Sequence, residues 1–258
     1  MRDLLLPYYN ERRKDYIDTL VIHAAAQHTV SDLVGVLANR ELSAHYVIGV
    51  DGDVVRLVPD EYRAWHAGAG EWNGERQDIN SNSIGIELCN GLFGEMAYAP
   101  KQIEALTELC LHLIDKYDFQ STQIIGHSDM APTRKIDPGS KLPWAQLAKD
   151  GVGLWYDMAD AKKVRTTDVR KLLSSIGYGV ENQEASEWAF LRRFNPELYF
   201  ALGGKKGANS ASINGAALKD NIEFVRTLQA VSAAFAISRG EGKMMLPVKE
   251  IANLGRSF

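Results

Sequence analysis

The segment STQIIGHSDMAPTRKIDPG, residues 121–139, places a loop rich in ionisable side chains directly after a short apolar run. Ile124 and Ile125 are β-branched and apolar, which predicts a buried strand that ends at His127. The two prolines of the loop lack an amide donor and have a fixed φ, so a long helix cannot continue through it. A strand that leads into a rigid polar loop is typical of α/β proteins, in which working side chains gather at strand ends.

The rest of the first 150 residues alternates strand-like and helix-like patterns. Short apolar runs predict two more strands, DTLVIH at 18–23 and SNSIGIELCN at 81–90, and Asp51-Gly52 predicts a hairpin turn. Apolar residues at helical spacing predict helices at 30–40, with Thr29 or Ser31 as N-cap, at 99–118 and at 142–150. Strands that alternate with helices, together with one hairpin, predict an α/β fold with a mixed central sheet flanked by helices.

The segment KDGVG at 149–153 marks a predicted domain boundary, which divides the chain into residues 1–150 and 151–258. Beyond it, helical patterns occur in TTDVRKLLSSIGYGV (166–180), ASEWAFLRRFNPELYF (185–200) and AALKDNIEFVRTLQAVSAAFAISR (216–239). The Gly-, Ser- and Asn-rich segment 203–215 between them predicts a mobile loop. We therefore expect a small all-α C-terminal domain.

The composition excludes several classes of protein. The 258 residues are 45% hydrophobic and 24% charged, as in folded globular proteins. Residues 1–150 carry 14 Lys and Arg against 22 Asp and Glu, a formal charge of −8, and the remainder carries +4. With no basic run and no recognition motif, nucleic-acid binding is unsupported. No apolar run reaches the roughly 18 residues of a transmembrane segment.

Cysteine use and the start of the chain say little about location. Cys89 and Cys110 lie in apolar contexts, which predicts two buried thiols rather than a disulfide framework. The three leucines before Pro7 are too few for a signal-peptide core, although a leader removed earlier would leave no trace. Both the cell envelope and the cytoplasm stay open as locations, and the oligomeric state is unknown.

Two predicted strands end in histidine, and an aspartate follows the second of them on the rigid loop. These residues, His23, His127 and Asp137, are ligand types that zinc accepts, and a catalytic zinc keeps one position for water. The helical zinc motif HExxH is absent. Spacing alone leaves the alternative open, because histidines at strand ends often only cap a sheet.

Two further ionisable residues have both a functional and an ordinary interpretation. Glu87 shares a face of its predicted strand with Ser83, Gly85 and Cys89, so it is a candidate general base or a surface carboxylate. Lys135 lies two residues before Asp137, which makes it a candidate oxyanion-stabilising cation or a solvated lysine. Neither choice is decided by the residues themselves.

Five ordered motifs decide between these interpretations by resemblance. These motifs are VIH (21–23), SAHYVI (43–48), RAWHAG (63–68), NSIGIEL (82–88) and GHSDMAPTRKIDPG (126–139). With them the sequence resembles the zinc-dependent N-acetylmuramoyl-L-alanine amidases of the type 2 family, which are related to peptidoglycan recognition proteins, and especially the bacterial enzymes acting on anhydro-muropeptides. The similarity covers about residues 10–150.

The resemblance implies a role for each candidate residue. His23, His127 and Asp137 would bind one zinc ion, Glu87 would handle the protons of the attacking water, and Lys135 would stabilise the oxyanion. The bond cut would be the amide between muramic acid and L-alanine in peptidoglycan or muropeptides. Four further residues would contact substrate: Trp65, His66, Arg76 and Asn80.

The resemblance also leaves alternatives. The C-terminal part is faintly similar to a three-helix peptidoglycan-binding module, but it could instead be a helical appendage that packs on the catalytic domain. A non-catalytic peptidoglycan recognition protein and a zinc peptidase that cuts elsewhere in the stem peptide are the competing functions. The presence of all three candidate ligands together with Glu87 and Lys135 favours catalysis. Soluble anhydro-muropeptide and intact sacculus both remain candidate substrates.

Overall fold

The structure is a computed structural model that describes residues 1–76, 78–204 and 218–241. Most of the segment predicted as a mobile loop (203–215) lies outside these ranges. The strands are β1 Arg2–Asp3, β2 Tyr9–Glu11, β3 Thr19–Ala25, β4 Tyr46–Ile48, β5 Val54–Arg56, β6 Tyr62–Ala64, β7 Glu71–Trp72, β8 Glu75–Arg76, β9 Ser83–Cys89 and β10 Ile124–Gly126. The α-helices are α1 Val30–Asn39, α2 Pro100–Tyr117, α3 His127–Met130, α4 Trp144–Lys149, α5 Val169–Ile176, α6 Gln183–Phe194, α7 Pro196–Ala201 and α8 Ile222–Ser238.

A six-stranded mixed sheet forms the centre of the fold, with strand order β1-β5-β4-β9-β3-β10. The hairpin predicted at Asp51-Gly52 is confirmed, since β4 and β5 pair antiparallel on either side of it. The neighbours β4–β9, β9–β3 and β3–β10 are all parallel. The predicted α/β class is therefore confirmed, and the parallel strands bring their carboxyl ends to one edge of the sheet.

The alternation of side chains along β3 separates two faces of the sheet. Leu20, Ile22 and Ala24 pack in a cluster with residues of α2 and α4. Val21 and His23 point to the opposite face, as the two-residue period of a strand requires. Because β3 and β9 pair in parallel register with His23 opposite Glu87, the two ionisable side chains emerge on the same face.

The C-terminal helices share a hydrophobic core with the sheet domain. One cluster of buried side chains contains Val21, Ile125 and Met130 from the first 150 residues and Trp188 and Phe235 from α6 and α8. The division at residue 150 remains a prediction, but the helices pack on the face of the sheet that carries His23. Among the described residues, no helix is both long enough and apolar enough to cross a membrane.

Several local predictions are confirmed, and two strand ends are corrected. Thr29 caps α1 by accepting a hydrogen bond from the Asp32 amide, and both cysteines are buried free thiols. However, β3 continues two residues beyond His23, because the adjacent β9 offers partners as far as Cys89. His127 opens the helical turn α3 rather than ending a strand.

Candidate metal centre and catalytic cavity

The three predicted metal ligands meet at one point. The Nδ1 atoms of His23 and His127 are 2.8 Å apart, and Asp137 Oδ2 lies 2.9 Å from His127 Nδ1 and 3.4 Å from His23 Nδ1. All three side chains are buried. They come from β3, from the start of α3 and from the following loop, so residues 104 positions apart in sequence converge only in the folded chain.

A backbone carbonyl fixes the tautomer of the His127 ring. Its Nε2 lies 3.0 Å from the carbonyl oxygen of Ala67, which can only accept a hydrogen bond. The neutral ring therefore carries its proton on Nε2 and presents a lone pair at Nδ1. Arg134 donates to the same carbonyl oxygen at 2.5 Å, which holds the acceptor in place.

A chain of hydrogen bonds fixes the His23 ring in the same tautomer. The Ser83 hydroxyl donates to the Ile79 carbonyl at 2.6 Å, so its oxygen accepts from His66 Nε2 at 3.2 Å. His66 Nδ1 is then an acceptor and takes the proton of His23 Nε2 at 2.9 Å. His23 Nδ1 is left as a lone-pair donor, as metal-bound histidines with an ordered outer partner are.

The resulting donor set fits a metal ion. Two imidazole lone pairs and a carboxylate oxygen face one another with no proton between them, an arrangement that a cation stabilises. Tetrahedral coordination with bonds of about 2.0–2.1 Å would separate the donor atoms by about 3.3 Å, against the 2.8–3.4 Å found here.

Burial and the neighbouring His127 lower the pKa of His23 to about 4. Burial would raise the pKa of Asp137, but the positive charge of His127 and the hydrogen bonds from both imidazoles, made when their Nδ1 atoms carry a proton, outweigh it and hold that pKa well below its usual range. At neutral pH both groups are in their ligating forms.

Glu87 lies beside this centre with an unused oxygen. Its register partner across the parallel pair is His23. Its buried Oε2 has no hydrogen-bond partner among the residues that the structure describes. Burial, with the charge of Asp137 as a second cause, raises the pKa of Glu87 to about 8. A carboxyl group that titrates near neutrality and is not committed to another contact is suited to general acid–base chemistry.

Two of the three metal ligands, His127 and Asp137, and both predicted catalytic residues line one cavity of about 130 Å³. Lys135 is half-buried and lines it together with Glu87. Its walls also include Ala24, Gln27, Arg40, Leu42, Trp65, His66, Phe93, His127 and Asp137. The structure thus brings an acid–base group, a cation and two of the three metal ligands to one cavity.

Three of the four predicted substrate-binding residues lie at or behind this cavity. Trp65 is half-buried on its wall and donates from Nε1 to Asn10 at 2.8 Å. His66 lines the same space, but both of its ring nitrogens are engaged by the chain that orients His23. Asn80 is buried, and its Oδ1 accepts the amide of Ala67 at 2.8 Å. These contacts shape the backbone under the His127 ring.

Arg76, the fourth, is not brought to this cavity. Its side chain is 53% exposed, and its guanidinium pairs with Glu181 at 2.5 Å and with Glu71 at 3.2 Å. These residues line a second groove of about 510 Å³, which also includes Arg134. Arg76 therefore joins the first part of the chain to the loop before α6.

Phe93 was not anticipated from the sequence. It lines the catalytic cavity, is 42% exposed and has a positive φ of 51°. Its loop packs against the loop that carries Asp137. A Cβ atom at Gly94 would collide with the Pro138 carbonyl, and Glu95 accepts a hydrogen bond from the Ser140 hydroxyl at 2.6 Å. The spacing of glycines in GLFG (91–94) is the signal that marks this turn.

Comparison with known proteins agrees with this geometry. The family described as N-acetylmuramoyl-L-alanine amidase matches residues 12–140. The N-acetylmuramoyl-L-alanine amidase AmiD of Escherichia coli is 34% identical over 233 residues, covering 79% of this chain and 83% of that protein. The 1,6-anhydro-N-acetylmuramyl-L-alanine amidase AmpD of the same organism is 42% identical over 111 residues, covering 43% of this chain and 59% of AmpD.

Solved structures extend the similarity to the C-terminal helices. The complex of Escherichia coli AmiD with anhydro-N-acetylmuramic acid-L-Ala-D-gamma-Glu-L-Lys has a TM-score of 0.70 at 28% identity, covering 90% of this chain and 94% of that one. AmpDh3 of Pseudomonas aeruginosa in complex with anhydromuramic pentapeptide has a TM-score of 0.69 at 26% identity, covering 92% and 99%. With the family matched across half of the chain and AmiD similar over most of it, this chain belongs to the N-acetylmuramoyl-L-alanine amidases.

Proposed function

We propose that the protein is a zinc-dependent amidase that cleaves the bond between N-acetylmuramic or 1,6-anhydro-N-acetylmuramic acid and L-alanine of peptidoglycan stem peptides. The observation that carries the proposal is the convergence of three lone-pair atoms of His23, His127 and Asp137 beside Glu87, whose Oε2 is unpaired among the described residues. The family and the activity follow from the relatives, whereas the metal and the residue roles are inferred from this geometry.

Zinc is the metal that this donor set favours. Two imidazoles and one carboxylate are a common protein ligand set for catalytic zinc and leave a fourth position for water or substrate. Bound there, zinc would lower the pKa of its water and polarise the scissile carbonyl. His23, His127 and Asp137 would hold it, and the hydrogen bonds at Nε2 of the two histidines leave both Nδ1 atoms facing the site.

The residues of the cavity supply the proton transfers and the charge stabilisation. Glu87 accepts a proton from the attacking water while the oxygen of that water forms a bond to the muramoyl carbonyl carbon. Glu87 then donates that proton to the alanine nitrogen as the carbon–nitrogen bond breaks, which leaves a carboxylic acid and a free amine. Lys135, in the same cavity, donates a hydrogen bond to the oxyanion that develops on the carbonyl oxygen.

The bound molecules of the relatives indicate the substrate class. The AmiD and AmpDh3 structures are complexes with anhydro-muramoyl peptides, so we infer that this chain accepts soluble anhydro-muropeptides. The indole of Trp65, on the cavity wall, offers a flat apolar face to the sugar or lactyl carbons. We further propose residues 1–150 as the catalytic domain and 151–258 as a helical domain of peptidoglycan-binding type.

The test follows the products of an anhydro-muramoyl tripeptide by mass spectrometry. We expect free tripeptide that begins with L-alanine, loss of this product on chelation, and recovery when zinc is restored. Glu87→Gln should lower kcat at saturating zinc by a factor of about 10² or more, because it removes proton transfer but no metal ligand. Glu104→Gln, an exposed change on α2, is the matched control and should keep full activity.

Two outcomes would contradict the proposal. Binding of the muropeptide without any release of peptide by the zinc-loaded protein would identify a recognition protein instead. Products cut within the stem peptide would identify a peptidase. Unchanged turnover in Glu87→Gln would remove Glu87 from the mechanism while leaving the amidase activity intact.

A further inference from the structure

The helical turn α3, called the metal-bearing turn because it carries His127, also carries a buried carboxylate. This carboxylate has no role in the proposed catalytic mechanism. Asp129, two residues after His127, is 1% exposed. Its Oδ2 accepts the amide of Gly126 at 2.8 Å and so closes the first turn of α3. A buried carboxylate needs further donors to offset its desolvation, and one backbone amide does not suffice.

The other donors to this carboxylate come from the C-terminal helical part of the chain. Arg193 of α6 contacts Asp129 Oδ2 from Nη1 at 2.5 Å. The hydroxyl of Tyr178, which follows α5, donates to Asp129 Oδ1 at 2.6 Å. All three side chains are at most 4% exposed. Arg193 also stacks over the ring of Trp144, with its guanidinium carbon 4.0 Å from the ring centroid.

The same contacts reach the two backbone segments that deliver His127 and Asp137. The second guanidinium nitrogen of Arg193 donates to the Ile124 carbonyl of β10 at 3.1 Å, just before His127. Within the turn, the Ser128 amide donates to the Asp137 carbonyl at 2.8 Å. The turn that Asp129 closes therefore connects two of the three ligands, and its outer side is held by residues 178 and 193.

We infer that Arg193 and Tyr178 are positioning residues for the metal centre, so that the C-terminal helices form part of the scaffold that sets zinc affinity. The inference rests on the proposed zinc site. It assigns the helical part a role beyond that of an appendage or a wall-binding module, because two of its side chains hold the turn that carries His127. A structural contact elsewhere in the same helices would affect stability without affecting the metal.

The experiment uses the full chain and compares zinc affinity with stability. Zinc Kd is measured by competition with a chromophoric chelator, and the free energy of unfolding of the metal-free protein by urea. Tyr178→Phe removes one hydroxyl and keeps the ring, and Arg193→Met removes the guanidinium. We expect each to raise the zinc Kd about tenfold, as removal of outer-shell partners does, and to lower kcat more than it changes KM. Arg193→Lys, which keeps a charge for Asp129, should recover part of the affinity.

Arg192→Met is the matched control. Arg192 is the neighbouring residue of α6 and is 2% exposed, but its guanidinium packs against Tyr199 and, among the described residues, makes no hydrogen bond to the metal-bearing turn. We expect it to keep the wild-type zinc Kd, whichever way the free energy of unfolding changes. If Arg193→Met fails to fold, Tyr178→Phe carries the test.

The outcomes separate the inference from the function on which it rests. A wild-type zinc Kd in Tyr178→Phe, or an equal loss of zinc affinity in Arg192→Met, overturns the inference and leaves the amidase proposal standing. A wild-type protein that binds no zinc overturns the proposed function, and the inference falls with it.

Discussion

Replacement of His66 by phenylalanine distinguishes two roles for this residue. The sequence resemblance places His66 on the substrate wall, whereas its Nδ1 accepts the proton of His23 Nε2 at 2.9 Å. Phenylalanine keeps a ring of similar shape but has no acceptor. His23 can then move its proton to Nδ1 and donate to Asp137, 3.4 Å away, and zinc must reverse that tautomer to bind. The free energy of zinc binding should therefore weaken by about the value of one buried hydrogen bond, ~1.4 kcal/mol, which raises the zinc Kd roughly tenfold.

The assay is chelator competition for zinc, together with kcat and KM on an anhydro-muropeptide at saturating zinc. His45→Phe is the matched control, because His45 is buried beside His66 with a ring-centroid distance of 5.5 Å but bonds the Gly85 amide rather than a ligand. It should lower the free energy of unfolding without raising the zinc Kd. An unchanged zinc Kd in His66→Phe with a raised KM would refute the tautomer argument and restore the substrate-wall interpretation.

Three further predictions concern stability and substrate contact. Saturating zinc at about 100 times its Kd should stabilise the protein by about 2.7 kcal/mol, visible as a fall in Tm when a chelator is added; an unchanged Tm would contradict a metal site in the folded state. Phe93→Ala should raise KM several-fold with a smaller change in kcat, since the ring lines the cavity mouth, and an unchanged KM would place the substrate elsewhere. Arg76→Ala should lower the free energy of unfolding by less than about 1 kcal/mol, because its salt bridges are exposed, and should leave KM unchanged; a raised KM would support the predicted substrate contact.

The local architecture was predictable because local patterns encode it. Alternation and β-branching mark β3 and β9, the Asp51-Gly52 turn marks the β4–β5 hairpin, and Thr29 marks the start of α1. Strand ends were harder to predict because the adjacent strand decides them. The β3 strand runs past His23 only because β9 continues to pair with it.

The candidate site was predictable only in part, for a different physical reason. Spacing suggested His23, His127 and Asp137 but could not exclude histidines that merely cap a sheet, and the family resemblance decided the matter. The hydrogen bonds of His66 and Arg193 were not foreseen. They join residues 43 and 64 positions apart, and no local pattern records such a contact. Arg193 looks like one of two equivalent arginines in the helix until the fold shows which one faces Asp129.

Metal binding and the acid–base role of Glu87 are coupled through charge. Without metal, burial raises the pKa of Glu87 to about 8, so at pH 7 roughly 0.9 of the molecules carry its proton. A dication held in the same cavity favours the ionised carboxylate and lowers that pKa. Zinc binding should therefore release close to one proton per molecule at pH 7. The number released should fall as the pH rises through 8, because Glu87 is then already ionised before zinc binds. Calorimetry of zinc binding in buffers of different ionisation enthalpy measures the number of protons released, and Glu87→Gln should lower that number by close to one at pH 7. Equal proton release in wild type and Glu87→Gln would mean that Glu87 is ionised before the metal arrives, and that burial alone does not prepare it as an acid.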